Sequence, residues 1–261
     1  MTRMKRCLVK ADDYGFTEAI SLGILKAYRE GIVRSTGVMV NMPAAPAALG
    51  WLREAEGLCL GLHINIVVGK PAADPALIPN LIDEQGVFHS SKKYRAELAA
   101  GRDPIPDLDQ AVAEVEAQIR RFIALTGRRP EYLEGHAVRS PHLLEAMALL
   151  AKRYDLPHLS YLENCDHRLT ERPQRAASIY PFYDQGVEPA AYFTEDLGGI
   201  AELPLSLVTL HPGYLDREIY RMSSFTDVRI KDLEAATAPE VKAWFAKKDI
   251  ALISFRDITQ Y

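Results

Sequence analysis

Short apolar runs rich in β-branched residues alternate with amphipathic stretches along most of this 261-residue chain, and that alternation leaves few folds open. It is the signature of repeated βα units around a parallel sheet. Residues 7–11 read as a first strand. Ile20, Ile24, Ala27 and Tyr28 then share one face of a helix over 18–29, with Thr17 as its N-cap and Gly31 as its stop. Strands follow at 36–40 and 58–64, with an Ala-rich helix over about 45–55 between them. Val112, Val115, Ile119, Phe122 and Ile123 place a helix over 108–125, ending before Gly127. A strand at 132–134 and others at 158–162, 205–210 and 250–255 bring the count to seven, with helices near 141–154, 228–236 and 239–248. The fold class expected is α/β, a (β/α) barrel-like arrangement of about seven parallel strands, with a doubly wound open sheet as the alternative. One domain over 1–261 is expected. Two long excursions, at about 67–107 and 163–202, interrupt the rhythm, and loops of that length inside a compact domain usually act as lids or binding loops.

Composition narrows the function classes. A hydrophobic fraction of 48% with 25% charged residues is that of an ordinary globular protein. Lys+Arg 31 against Asp+Glu 35 gives a net charge of -4, which argues against nucleic acid as a partner. Three cysteines are too few and too scattered for a disulfide framework or a thiolate zinc site. The basic start is followed by too short an apolar run for a signal peptide, and no run approaches the ~18 apolar residues of a membrane span, so the cytoplasm is expected.

As each expected strand ends, a polar or ionisable residue appears. Asp12 and Asp13 follow the first, Asn41 the second, His63 and Asn65 close the third, Glu134 and His136 the fourth, His211 follows the sixth, and Arg256 and Asp257 the last. In a βα barrel these ends share the face that holds the active site. Two histidines and a carboxylate are a standard ligand set for zinc or another divalent ion, so His63, His136 and one of Asp12 or Asp13 are candidate ligands. Neighbours on a strand point to opposite sides, so both aspartates address one site only if the chain turns there, as Tyr14-Gly15 suggests. His211, in a sharp His-Pro-Gly turn, is placed as a general acid or base. Asn65 and Arg256 are candidate substrate-binding residues, and His142 reads as a surface histidine at a helix start.

Lys-Ala-Asp-Asp-Tyr-Gly (10–15), Gly-Ile-Val-Arg-Ser-Thr-Gly-Val-Met-Val-Asn (31–41), Gly-Leu-His-Ile-Asn (61–65), Leu-Glu-Gly-His (133–136), His-Pro-Gly-Tyr (211–214) and Ile-Ser-Phe-Arg-Asp-Ile (253–258) together resemble the YdjC-like carbohydrate deacetylases. These are relatives of chitooligosaccharide deacetylase and of deacetylases linked to hopanoid synthesis. The resemblance implies a barrel-like fold akin to the NodB-type deacetylases, one divalent metal ion (Mg or Zn), and hydrolysis of an N-acetyl group on an amino sugar or oligosaccharide. It implies Asp13, His63 and His136 at the metal positions, Asp12 as catalytic base and His211 as acid. The roles of Asp12 and Asp13 are divided as in the more distant NodB-type enzymes. The family commonly has Asp-Ser and a histidine-rich run at the fourth strand, whereas this chain reads Glu134-Gly135-His136-Ala137-Val138-Arg139. The alternatives are another metal-dependent barrel enzyme, an isomerase or oxygenase, and a non-catalytic sugar-binding relative. A homodimer stays open, because a long excursion can cover a site or a second copy.

Overall fold

The computed structural model describes residues 4–159 and 167–260. Its sheet is built from β1 (Lys5–Tyr14), β2 (Ser35–Val38), β3 (Cys59–Ile64), β4 (Leu133–Gly135), β5 (Gln174–Arg175), β6 (Leu205–Leu210) and β7 (Ile250–Ile253), in the order β4-β3-β2-β1-β6-β5 with β7 beside β1. All these pairings are parallel. The helices α1 (Glu18–Arg29), α2 (Ala45–Gly50), α3 (Ser91–Ala99), α4 (Leu108–Thr126), α5 (Pro141–Tyr154), α6 (Tyr180–Asp184), α7 (Ala191–Thr194), α8 (Arg217–Met222), α9 (Val228–Thr237) and α10 (Pro239–Lys247) accompany it. The result is a curled, open barrel of βα units. No helix among the described residues is long and apolar enough to cross a membrane.

Local chemistry fixes the helix ends. Thr17 accepts from the Ile20 amide at 3.2 Å to cap α1, and Ser140 accepts from the Leu143 amide to cap α5. Gly127, at φ 71°, ends α4 in the left-handed conformation.

β1 carries the architecture. Its first half pairs β7 from Lys5 to Leu8 and its second half pairs β2 from Lys10 onward, while β6 runs along its other edge. Alternation puts Leu8, Lys10 and Asp12 on one face, toward the barrel interior. There Leu8 joins Cys59, Tyr132, Leu205, Leu207 and Phe255 in an apolar floor, with Tyr132 stacked on Phe255 at 4.0 Å between ring centroids. Gly61 makes room for that stack: a Cβ there would lie 2.3 Å from the Tyr132 ring. Above the floor the interior turns polar.

Several sequence expectations shift. β1 runs on to Tyr14, because the interior supplies partners for its charges. The helix over 45–55 is α2 followed by a 3-10 turn at Trp51–Glu54. Of the strand expected at 158–162, His158 makes an isolated parallel bridge to Leu133, and 160–162 lie outside the described residues. β5, inside the second excursion, makes up the count of seven instead. The first excursion holds a 3-10 turn at Pro75–Leu77 and α3, and it buries Ile78, Leu81, Phe88 and Tyr94.

Candidate active site

Asp12, Asp13, His63, His136 and His211 meet in one cavity of about 540 Å³ at the carboxyl ends of the strands. Both aspartates reach it because the β1–β2 pairing slips between Ala11 and Tyr14 and Asp13 adopts φ 79°, left-handed backbone that a non-glycine residue takes at a cost of roughly 1–2 kcal/mol. The turn thus falls one residue earlier than Tyr14-Gly15, and Gly15 continues it at φ 87°.

Asp13 is fully buried and its two oxygens face different charges. Oδ2 accepts from Arg229 Nη2 at 2.7 Å. Oδ1 has no hydrogen-bond partner, and lies 3.3 Å from His63 Nε2 and 3.1 Å from His136 Nδ1. Those two nitrogens are 3.0 Å apart. A tetrahedral ion with bonds of about 2.0–2.1 Å spaces its ligands by roughly 3.3 Å, and an octahedral one by roughly 3.0 Å, so the three atoms form a face on which a divalent ion fits. Burial alone would raise the Asp13 carboxyl, but the Arg229 guanidinium and the imidazoles outweigh it and hold it well below the usual carboxylate range. Burial works in the opposite sense on His63, where Asp12, Asp13 and Glu134 overcome it and push the imidazole up to about 10.

Beneath this face, His63 and Glu134 are register partners on β3 and β4, with His63 Nδ1 3.3 Å from Glu134 Oε1. Glu134 Oε2 is 2.5 Å from Lys10 Nζ, which also binds Asp12 Oδ1. Despite burial, Lys10 and His63 hold the Glu134 carboxyl down at about 2. Gly37 on β2 is what lets the pair sit there: a Cβ at that position would come within 2.5 Å of Glu134 Oε1 and 2.9 Å of His63 Cβ.

His211 occupies the opposite wall, where Nε2 lies 3.9 Å from Asp12 Oδ2. Its backbone amide donates to Asp232 Oδ2 at 2.6 Å, and its Nδ1 is 2.5 Å from the Tyr180 hydroxyl. Tyr180 and Tyr183 each donate to Asp232 at 3.0 Å. Burial pushes His211 down to about 4 against the pull of Asp13 and Asp12, so it is neutral near pH 7. Burial also pushes Asp232 up to about 6, its hydrogen-bond donors notwithstanding.

Two expected site residues stand elsewhere, neither lining the cavity. Asn65 is fully buried and bonds Asn41 and the Val68 carbonyl, pinning the start of the first excursion. Arg256 bonds both oxygens of Glu131 and the carbonyls of Gly57 and Leu58, at the amino end of β3. The reason is register: β7 pairs only with the first residues of β1, so the chain leaves it low in the barrel, beneath the opposite face. His142 likewise stays out, its Nδ1 2.6 Å from the Ile105 carbonyl.

Lys10, Tyr180, Arg229 and Asp232 were not among the sequence candidates. Lys10 breaks an apolar run, and Arg229 and Asp232 are three apart on α9, so each leaves a faint trace. Tyr180 leaves none. Arg139, which follows the fourth strand, lines the cavity with Arg95 and Arg175.

Comparison with known proteins follows the same outline. The family model described as YdjC-like protein matches residues 6–247. A carbohydrate deacetylase of Geobacillus stearothermophilus is 30% identical over 253 residues, covering 96% of this chain and 97% of its own. A solved protein of Enterococcus faecalis V583, provisionally described as a cellobiose-phosphate cleavage protein, superposes with a TM-score of 0.82 at 24% identity, over 98% of this chain and 99% of its own. A family 4 carbohydrate esterase from Streptomyces lividans, solved with acetate, shares the fold at a TM-score of 0.50 and 11% identity, over 98% and 97% of the two chains.

Proposed function

The chain belongs to the YdjC-like protein family, and from that premise we propose that it is a metal-dependent carbohydrate deacetylase, releasing acetate from an N-acetylated amino sugar or oligosaccharide. The observation that carries this reading is the triangle of Asp13 Oδ1, His63 Nε2 and His136 Nδ1, with sides of 3.0–3.3 Å, the first two residues buried and the third half-buried, flanked by Asp12 and His211. These three residues would hold one divalent ion, magnesium or zinc. When bound, the ion supplies Lewis-acid polarisation of the acetyl carbonyl and a water of lowered pKa.

The chain's own residues do the rest. Arg229 fixes Asp13 from behind, and Glu134 orients His63 through Nδ1, so that Nε2 faces the cavity. Asp12 Oδ2 takes the proton of the attacking water. His211 is neutral at rest, so the proton it delivers to the departing amine is gained during turnover, and Asp12, 3.9 Å away, is the group that has just acquired one. Tyr180 and Asp232 hold Nδ1 and the backbone of His211, aiming Nε2 at the leaving group.

Acetate release from N-acetylated chitooligosaccharides, measured alongside metal content, tests the assignment. His63→Ala is expected to lose metal and activity together. His211→Ala should keep its metal and lose roughly 10²- to 10⁴-fold in turnover, the usual worth of a general acid. A metal-replete His211→Ala enzyme with normal turnover would remove that residue from the mechanism, and a wild type that binds no divalent ion would overturn the metal reading.

A further inference from the structure

Among the described residues two groups of metal-ligand type share this barrel: Asp13, His63 and His136 above, and Asp12, His63 and Glu134 beside them. They differ in what lies between their atoms. In the second group the Lys10 side chain, itself 1% exposed, reaches up the interior and places its ammonium against Asp12 Oδ1 and against Glu134 Oε2 at 2.5 Å. That is the distance at which an ion the size of calcium takes carboxylate oxygens. Glu134 Oε1 and His63 Nδ1, both buried and 3.3 Å apart, complete the nest.

We propose that Lys10 is a built-in cation that occupies the place of a second divalent ion, so that the cavity accepts one metal rather than a pair. The inference rests on the reading of Asp13, His63 and His136 as the metal face, but its readout does not. Two carboxylates this close and this buried need positive charge between them. A lysine supplies one fixed charge on a tether and leaves Asp12 Oδ2 turned toward His63 and His211, at 4.0 and 3.9 Å. Lys10 sits two residues before Asp12, on the same face of β1, which is the spacing that brings ammonium and carboxylate together.

The test counts ions. Wild type, Lys10→Met, Lys10→Gln and the double variant Lys10→Met/Glu134→Gln are equilibrated with Mn²⁺, and bound metal per folded chain is measured by mass spectrometry and electron paramagnetic resonance. The expected result is one more ion per chain in Lys10→Met than in wild type, with the spectral broadening of two neighbouring Mn²⁺ ions where the upper face is filled, and no gain in the double variant. Lys10→Gln reads the same difference if the methionine variant does not fold. Equal counts in wild type and the folded lysine variants would overturn the proposal, as would a gain that survives Glu134→Gln. A wild type without bound Mn²⁺ would instead count against the upper face, and the gain in the lysine variants would still decide the role of Lys10.

Discussion

His211 is steered by groups that carry no strand-end signature. Its Nδ1 meets the Tyr180 hydroxyl and its amide meets Asp232, so the ring cannot turn without breaking a chain that ends on Tyr183. Tyr180→Phe keeps the ring, which packs edge-on against Phe225 at 4.9 Å, and deletes only the hydroxyl. The expected outcome is turnover lowered about 10-fold with metal content unchanged, the scale on which supporting hydrogen bonds act. Steady-state kinetics beside metal analysis checks it, and an unaltered kcat would show that His211 is oriented by Asp232 alone. At this scale the sequence displayed the residues that end strands, because polarity stands out where an apolar run stops. It concealed those that support them: Asp232 and Arg229 arrive from α9, more than 200 residues after β1, and only the closure of the barrel brings them near. Arg256 shows the converse, a strand-end residue whose strand stops at the wrong height.

Elements make room for the site as much as they supply it. β2 contributes no ligand, yet Gly37 is the gap into which His63 and Glu134 fit from β3 and β4. Gly37→Ala forces one of them aside and is expected to cost about 1–3 kcal/mol and to weaken metal binding, whereas Gly50→Ala, with open space around its Cβ at the end of α2, should be neutral or stabilising. Thermal denaturation and metal titration of the two variants check the contrast; equal behaviour would mean that β2 yields. α4 does similar work for the first excursion. Gln110, Glu114 and Gln118, spaced by four, form a buried polar stripe in which Gln110 accepts the Asn80 amide, Glu114 the amides of Ala72 and Ala73, and Gln118 pairs with the Asn65 backbone. The apolar period of this helix was plain in the sequence, and so were its ends. That its polar residues face inward was not, since a carboxylate and two amides at helical spacing read as a solvent face until a loop with unpaired amides is laid on them. The same blindness hid β5, two residues long and set within a stretch of no clear period.

Over the whole molecule the barrel interior is graded, from the apolar floor around Tyr132 and Phe255, through Lys10, Glu134 and His63, to the open carboxyl face with Asp13, His136 and His211. The floor buries the middle layer, and charges there act on one another strongly: Asp12, Asp13 and Glu134 push His63 up to about 10 against its burial, so the metal-free fold carries a proton where the ion would bind. Proton and metal therefore compete for one imidazole, and the competition shows in global stability. The unfolded value for histidine is about 6.5, below the folded one, so the proton's contribution to the metal-free protein is full below about pH 6.5 and is lost as the pH rises through about 10. Metal binding must expel that proton, so apparent affinity climbs over the same interval, and by mass action the metal's contribution to stability climbs with it, reaching about 2.7 kcal/mol once free metal is 100 times Kd. The melting temperature of the metal-free protein should accordingly fall between pH 7 and 10 while that of the metal-loaded protein holds, so that the gap between them widens. His63→Ala removes both the proton and the ligand, and the gap should vanish with it. A gap that stays constant with pH in the wild type would mean that His63 is already neutral in the metal-free fold, and that the buried carboxylates around it find their positive charge in Lys10 and Arg229 alone.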